Sequence, residues 1–88
     1  MRQLNIRVEF FEEDGQYVAL CPMLNVSSYG ETLQEARSSL IEAVEIFIDE
    51  CSEMGTLEQV LEESGFIKTG QSWTSRQAVS EEQLALAV

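Results

Sequence analysis

Between Thr32 and Met54 the sequence writes one long amphipathic helix and both of its ends. Thr32 is followed three residues later by Glu35. This is the T-x-x-E spacing in which each side chain accepts a hydrogen bond from the other residue's free backbone N–H. Gly55 follows the last apolar residue, where a chain most easily leaves a helix through a left-handed conformation. With residues about 100° apart, Leu33, Ala36, Leu40, Ala43, Val44, Phe47, Cys51 and Met54 gather on one face. Glu35, Glu42 and Asp49 fall opposite, joined by Glu45 and Glu53. A helix with one apolar stripe has to cover something, and the residues before it supply a sheet.

Leu4 to Phe11 alternates: Leu4, Ile6, Val8 and Phe10 point one way, and Asn5, Arg7, Glu9 and Phe11 the other. Asp14-Gly15 closes an acidic turn suited to a tight hairpin, and Gln16 to Cys21 returns as a second strand that Pro22 ends. After Met23-Leu24-Asn25, Val26 to Tyr29 reads as a third, shorter strand. Beyond the long helix, Thr56 and Gln59 repeat the capping-box spacing and open a short helix, Leu57 to Ser64. Phe66–Thr69 and Ser72–Thr74 around Gly70-Gln71 read as a small hairpin. Trp73 is read as closing the core or an intersubunit contact rather than binding a ligand. In Glu81 to Val88, Leu84, Leu86 and Val88 alternate with alanines, which favours a strand, although alanine and glutamate also suit a helix.

The expected class is α+β: a small antiparallel sheet in the order β-β-β-α, then a short helix and a C-terminal strand, with the long helix on one sheet face. Residues 1–68 form the domain. Residues 69–88 are an extension that completes the sheet or makes an intersubunit contact.

Charge narrows the range of partners. Five basic against sixteen acidic residues give a net charge of −11. That opposes nucleic-acid binding, where phosphate contacts dominate affinity. It suits a basic partner, or it serves solubility alone. No apolar run approaches the about 18 residues of a membrane span, and the N-terminus lacks the apolar core of an export signal, so the expected location is the cytoplasm. Cys21 and Cys51 read as small buried hydrophobes. Without histidine, the usual zinc sites and Ser-His or Cys-His nucleophiles are absent. The acids cluster in a turn and on an outer helix face, and no complete catalytic constellation is visible. Neither an enzyme nor a cofactor or metal site is expected.

The remaining function is recognition. Glu35, Glu42 and Asp49 form an acidic stripe, and Ile46 lies among them, far from the apolar face. An apolar anchor ringed by charge is what a protein interface uses, but a lone exposed isoleucine is also common, and the C-terminal segment offers a cover for it. The uncovered sheet face, with Asn5, Arg7, Glu9 and Phe11, is a second candidate surface.

One ordered set of residues resembles a known family. Glu13-Asp14-Gly15-Gln16-Tyr17, Pro22 after the second strand, Leu24, Gly30-Glu31-Thr32, Glu35-Ala36 and Glu42-Ala43 together resemble the HicB family of antitoxins, over about residues 4 to 54. The resemblance implies a partial RNase H-like fold. It also implies homodimers or higher oligomers, and a protein that occludes a small basic HicA-like ribonuclease toxin. Two departures limit it. Met-Leu-Asn-Val-Ser-Ser follows Pro22 where the family often has an acid and then Pro-Gly, which makes Met23 and Leu24 candidates for exposed contacts. Residues 69–88 hold one basic residue, Arg76, and are short for a DNA-binding module, so direct DNA binding is not carried over. The alternative expectation is an orphan HicB-like homo-oligomer, a binding or regulatory module without a toxin.

Overall fold

The computed structural model describes residues 3–88, so Met1 and Arg2, the first residues of the segment read as lacking an export signal, lie outside the described residues. The elements run β1 (Gln3–Leu4), β2 (Glu9–Glu13), β3 (Gln16–Cys21), β4 (Val26–Gly30), α1 (Leu33–Met54), α2 (Leu57–Glu63), β5 (Phe66–Thr69) and β6 (Ser72–Ser75). They make a small α+β structure with two helices and two three-stranded sheets, ordered β2–β3–β4 and β1–β6–β5.

The meander forms where its turn chemistry predicts. Asp14 and Gly15 take φ of 49° and 81°, and Glu13 pairs with Gln16 across them. The second hairpin returns through Pro22–Asn25, where Asn25 takes φ of 55° and donates its N–H to the Pro22 carbonyl at 3.2 Å. The first strand differs from expectation. Burial alternates from Leu4 to Phe11 as the sequence predicts, but the pairing is divided between two partners. Glu9–Glu13 pairs antiparallel with β3, whereas Gln3–Leu4 pairs parallel with β6. The cause lies in β3: its ladder with β2 ends at Glu9 opposite Leu20, and Pro22 beyond it has no N–H to donate. The all-antiparallel sheet is corrected accordingly.

α1 starts at Thr32, whose hydroxyl accepts from the Glu35 N–H at 3.0 Å. The reciprocal bond is displaced by one residue: the Glu35 carboxylate accepts from the N–H of Glu31 at 2.8 Å rather than from Thr32. Gly55 ends the helix at φ 73°, donating to the Ser52 carbonyl, while the Thr56 N–H donates to the Cys51 carbonyl. The second capping box does not form. The Thr56 hydroxyl turns back to the Cys51 carbonyl at 3.4 Å, and the Gln59 amide donates to Glu63. Thr56 therefore finishes the first helix instead of starting the second.

Gly30 sets how closely α1 can lie on the sheet. A Cβ there would come within 2.6 Å of Glu35 Cβ and 2.7 Å of the Ala36 nitrogen, so only glycine lets the helix entry cross the end of β4. Beneath α1 the core joins Ala19, Cys21, Leu24, Ala36, Leu40, Val44, Leu61, Phe66 and Trp73. Ala43, Phe47 and Ile48 are half-buried at its margin, whereas Leu33 and Met54, at the two ends of the expected apolar face, are exposed. Both cysteines are free and buried. Trp73 closes the core under α2 and the β5–β6 hairpin, whose turn is Gly70-Gln71.

The strand expected at Glu81–Val88 is not formed within the chain. Ser72–Ser75 takes the position beside β1, and residues 76–88 carry no regular structure and are exposed throughout. An alternating apolar segment gains ladder bonds only where a free edge lies in reach, and β6 already occupies one side of β1. The β5–β6 hairpin spans positions on both sides of residue 68, where the sequence divides domain from extension.

Candidate functional site

The outer face of α1 carries Glu35, Glu42, Glu45, Asp49 and Glu53, all exposed. They lie there because α1 spends its opposite face on β3 and β4, and residues separated by seven return to nearly the same angle. Among the described residues the side chains of Glu42, Glu45, Asp49 and Glu53 have no hydrogen-bond or ion-pair partner. The ion pair that the described residues do form, Lys68 with Glu58 at 3.1 Å, lies on α2 and β5 instead. Glu35 differs from the other four, since its carboxylate also holds the Glu31 N–H at the helix entry.

Ile46 is 58% exposed within this acidic surface. The helical turn puts Glu42, Asp49 and Glu50 around it. Residues 76–88 do not cover it, because Val79, Leu84, Leu86 and Val88 are themselves exposed, and the segment leaves the fold beside Arg7 and Met23. The sequence-predicted residues Glu35, Glu42, Ile46 and Asp49 thus share one surface.

Met23 and Leu24 do not join it. Leu24 is only 9% exposed and belongs to the core, and Met23 is half-buried against that core, its methyl 3.3 Å from where a Cβ on Gly65 would be. The expectation that both are exposed is corrected: the turn stabilised by Asn25 folds them inward, where their apolar area is buried against the core.

A surface that the sequence reading identified only in part is the outer face of β2–β3–β4. The register places Phe11 opposite Val18 and Val18 opposite Tyr29, so the three form a row across the strands. Leu20 follows on the same face, between Glu9 and Ser27. Phe11 is 47% and Tyr29 65% exposed, and neither touches the core. Phe11 is readable from its alternation, but Val18 and Tyr29 join it only through the cross-strand register.

No group of three or more His, Cys, Asp or Glu among the described residues could hold a metal ion. An apolar cleft of about 270 Å³ opens between α1, α2 and β1, lined by Leu4, Ile48, Leu57, Leu61 and Trp73 with Gln3 and Ser52, and contains no titratable side chain. No helix among the described residues is long and apolar enough to cross a membrane. No protein-family model, curated protein or solved structure matches the chain.

Proposed function

We propose that this protein is an antitoxin-like inhibitor that binds a small basic ribonuclease through the outer face of α1, with no chemistry of its own. The observation that carries the reading is the juxtaposition of Ile46, uncovered and 58% exposed, with acids that have no partner among the described residues. An apolar anchor excludes water, and the carboxylates around it pair with the Lys and Arg that a ribonuclease uses to hold phosphates. The bulk of the domain then excludes RNA. A net charge of −11 steers such a partner into encounter.

The resemblance to HicB antitoxins supplies the type of partner, a HicA-like toxin. The layout is in keeping with the partial RNase H-like unit of that family: a three-stranded meander, a long helix across it, and a later strand, β6, parallel to β1. The two free, buried cysteines suit the cytoplasm, the expected place of action.

The test is co-expression with the product of a neighbouring reading frame that encodes a basic, histidine-containing protein. The expected outcome is a co-purifying complex in which RNA cleavage is lost, and in which Glu42→Lys/Asp49→Lys restores cleavage. A complex unaffected by that charge reversal removes α1 as the binding surface. Failure to bind any such neighbour overturns the inhibitor reading.

A further inference from the structure

Arg7 and Arg76 are positive groups that the fold leaves without a partner. Of the other described basic residues, Arg37 donates to Gln34 and lies over the Phe10 ring, and Lys68 pairs with Glu58 and lies over Trp73. Arg7 and Arg76 have neither a hydrogen bond nor an ion pair among the described residues, in a chain with sixteen acids.

Strand pairing brings these two arginines together. The first extended segment joins β6 through Leu4 opposite Trp73 and through the Asn5 N–H, which donates to the Trp73 carbonyl at 2.9 Å. It joins β3 only from Glu9 onward. Residues 6–8 therefore lie between two ladders, where β6 ends at Ser75 and Pro22 follows the end of β3. A notch of about 210 Å³ opens where the ladders part, lined by Arg7, Glu9, Pro22, Met23, Ser75 and Arg76. Beyond it lies a wider cleft of about 650 Å³, where Glu81 of the departing segment joins Arg7 and Arg76. Arg7 and Glu9 share the outer side of the extended segment, because alternate residues of such a segment point the same way.

A guanidinium stays charged and presents N–H donors in a plane that matches a carboxylate. The Ser75 hydroxyl adds a further donor, and Pro22 and Met23 give the notch an apolar wall. We infer that this notch binds a small monocarboxylate, with its charge on Arg7 and Arg76 and its short apolar body on Pro22 and Met23. Two guanidiniums against the Glu9 carboxylate leave one positive charge in the notch, which one carboxylate neutralises. A phosphate dianion or a polyanion is served worse. Glu9 stands in the notch, Glu81 stands in the cleft beyond it, and a net charge of −11 opposes any further negative charge. The inference is independent of what the acidic face of α1 binds, since Arg7 points to the side of the sheet away from that helix.

Titration of the isotope-labelled full chain with hexanoate tests it, followed by nuclear magnetic resonance of the backbone amides and arginine side chains at constant ionic strength. Saturable shifts are expected at Arg7, Ser75 and Arg76, with a Kd in the millimolar range. Hexanamide keeps the body without the charge, acetate keeps the charge without the body, and each binds roughly fivefold more weakly or worse. Arg7→Gln and Arg76→Gln each weaken hexanoate about fivefold, and the double variant abolishes saturation. Far-UV circular dichroism is unchanged, because both arginines are exposed. Glu9→Gln strengthens binding, because it removes a like charge from the notch. Absence of saturable shifts overturns the inference, as does hexanamide binding equal to hexanoate or a double variant that binds as the parent does. Inorganic phosphate that binds more tightly than hexanoate overturns the assignment to a monocarboxylate. So does weaker binding in Glu9→Gln, which would give the notch to a ligand that also carries an ammonium group.

Discussion

The two sides of the layer made by α1 and β2–β3–β4 are both uncovered in a single copy, and they differ in chemistry. On the helix side, Glu42, Asp49 and Glu50 surround the exposed Ile46, and Glu35, Glu45 and Glu53 extend the acidic surface along α1. On the sheet side an aromatic and aliphatic row crosses three strands, with both signs of charge at its margin. The difference has a physical consequence for partners. A pair of like charges in contact at about 4 Å costs about 1 kcal/mol even in water, so the helix side disfavours a second copy and favours a cation-rich partner. The sheet side offers little to a cation, but it buries well against another apolar surface. If the helix side binds the proposed cation-rich partner, variants on the sheet side should leave that association unchanged.

The variant expected to have the largest effect breaks both sides at once. Gly30→Ala forces a Cβ to within 2.6 Å of Glu35 Cβ and into the α1 backbone, where no flexible side chain can yield. Overpacking of this kind costs about 1–3 kcal/mol, and a backbone obstacle belongs at the upper end. Urea unfolding should show the unfolding free energy falling by that amount, and partner binding should weaken with it. If Gly30→Ala is as stable as the parent, the close crossing of α1 over β4 is wrong, and with it the placement of both surfaces.

Charge reversal should separate the sides. Glu42→Lys/Asp49→Lys is expected to cost a basic partner about 2–5 kcal/mol of affinity and to flatten its salt dependence. Tyr29→Asp should leave that affinity unchanged. Isothermal titration at two ionic strengths measures both. A loss of affinity in Tyr29→Asp would show that one composite surface serves the partner.

Much of this contrast is legible in the chain, and the remainder is lost for identifiable reasons. The period of α1, its N-cap and its glycine stop are local properties, so its limits and its acidic face follow from spacing alone. The Asp14-Gly15 and Gly70-Gln71 turns are equally local. Pairing is not. The alternation of residues 4–11 is satisfied whichever partner lies alongside, so the change from β3 to β6 is set by Pro22, in another strand, and by a hairpin some sixty residues away. The same non-local register hides Val18 and Tyr29 from a reading that finds Phe11. Leu24 fails for a different reason: after a proline, Met-Leu looks like an exposed loop, but Asn25 at φ 55° closes the turn and directs Leu24 into the core. For residues 81–88 the pattern of a strand is present, but they pair with none of the sheet edges, so the same residues read as strand in sequence and stand exposed in the structure.

Ile46 tests whether the helix side is an interface or only a solvated face. At 58% exposure its truncation to alanine should leave stability within about 0.5 kcal/mol of the parent. As the anchor among the acids it should cost a bound partner about 1–2 kcal/mol. Surface plasmon resonance places the loss mainly in the dissociation rate, whereas the charge reversals act on association. An Ile46→Ala variant that binds as the parent does leaves the acids as a solubility feature.

Glu35 gives the smallest and most discriminating effect, because it belongs to the fold and to the surface together. Its carboxylate accepts from the Glu31 N–H at 2.8 Å, while its charge contributes to the acidic stripe at the first turn. Glutamine preserves an acceptor for that N–H, since both residues serve at this capping position. It removes only the charge, whose favourable interaction with the helix N-terminus is about 0.3–1 kcal/mol at low salt. Glu35→Gln should therefore lower stability by less than about 1 kcal/mol, an effect that fades at high salt, whereas Glu35→Ala should lose the hydrogen bond as well and keep a salt-independent deficit. If the partner reaches the first turn of α1, Glu35→Gln and Glu35→Ala weaken it equally, because both remove the same charge. If it does not, binding is unchanged in both and the contact is confined to Glu42, Ile46 and Asp49. Chemical denaturation at low and high salt, paired with titration of the partner, reads the two roles of this one side chain separately.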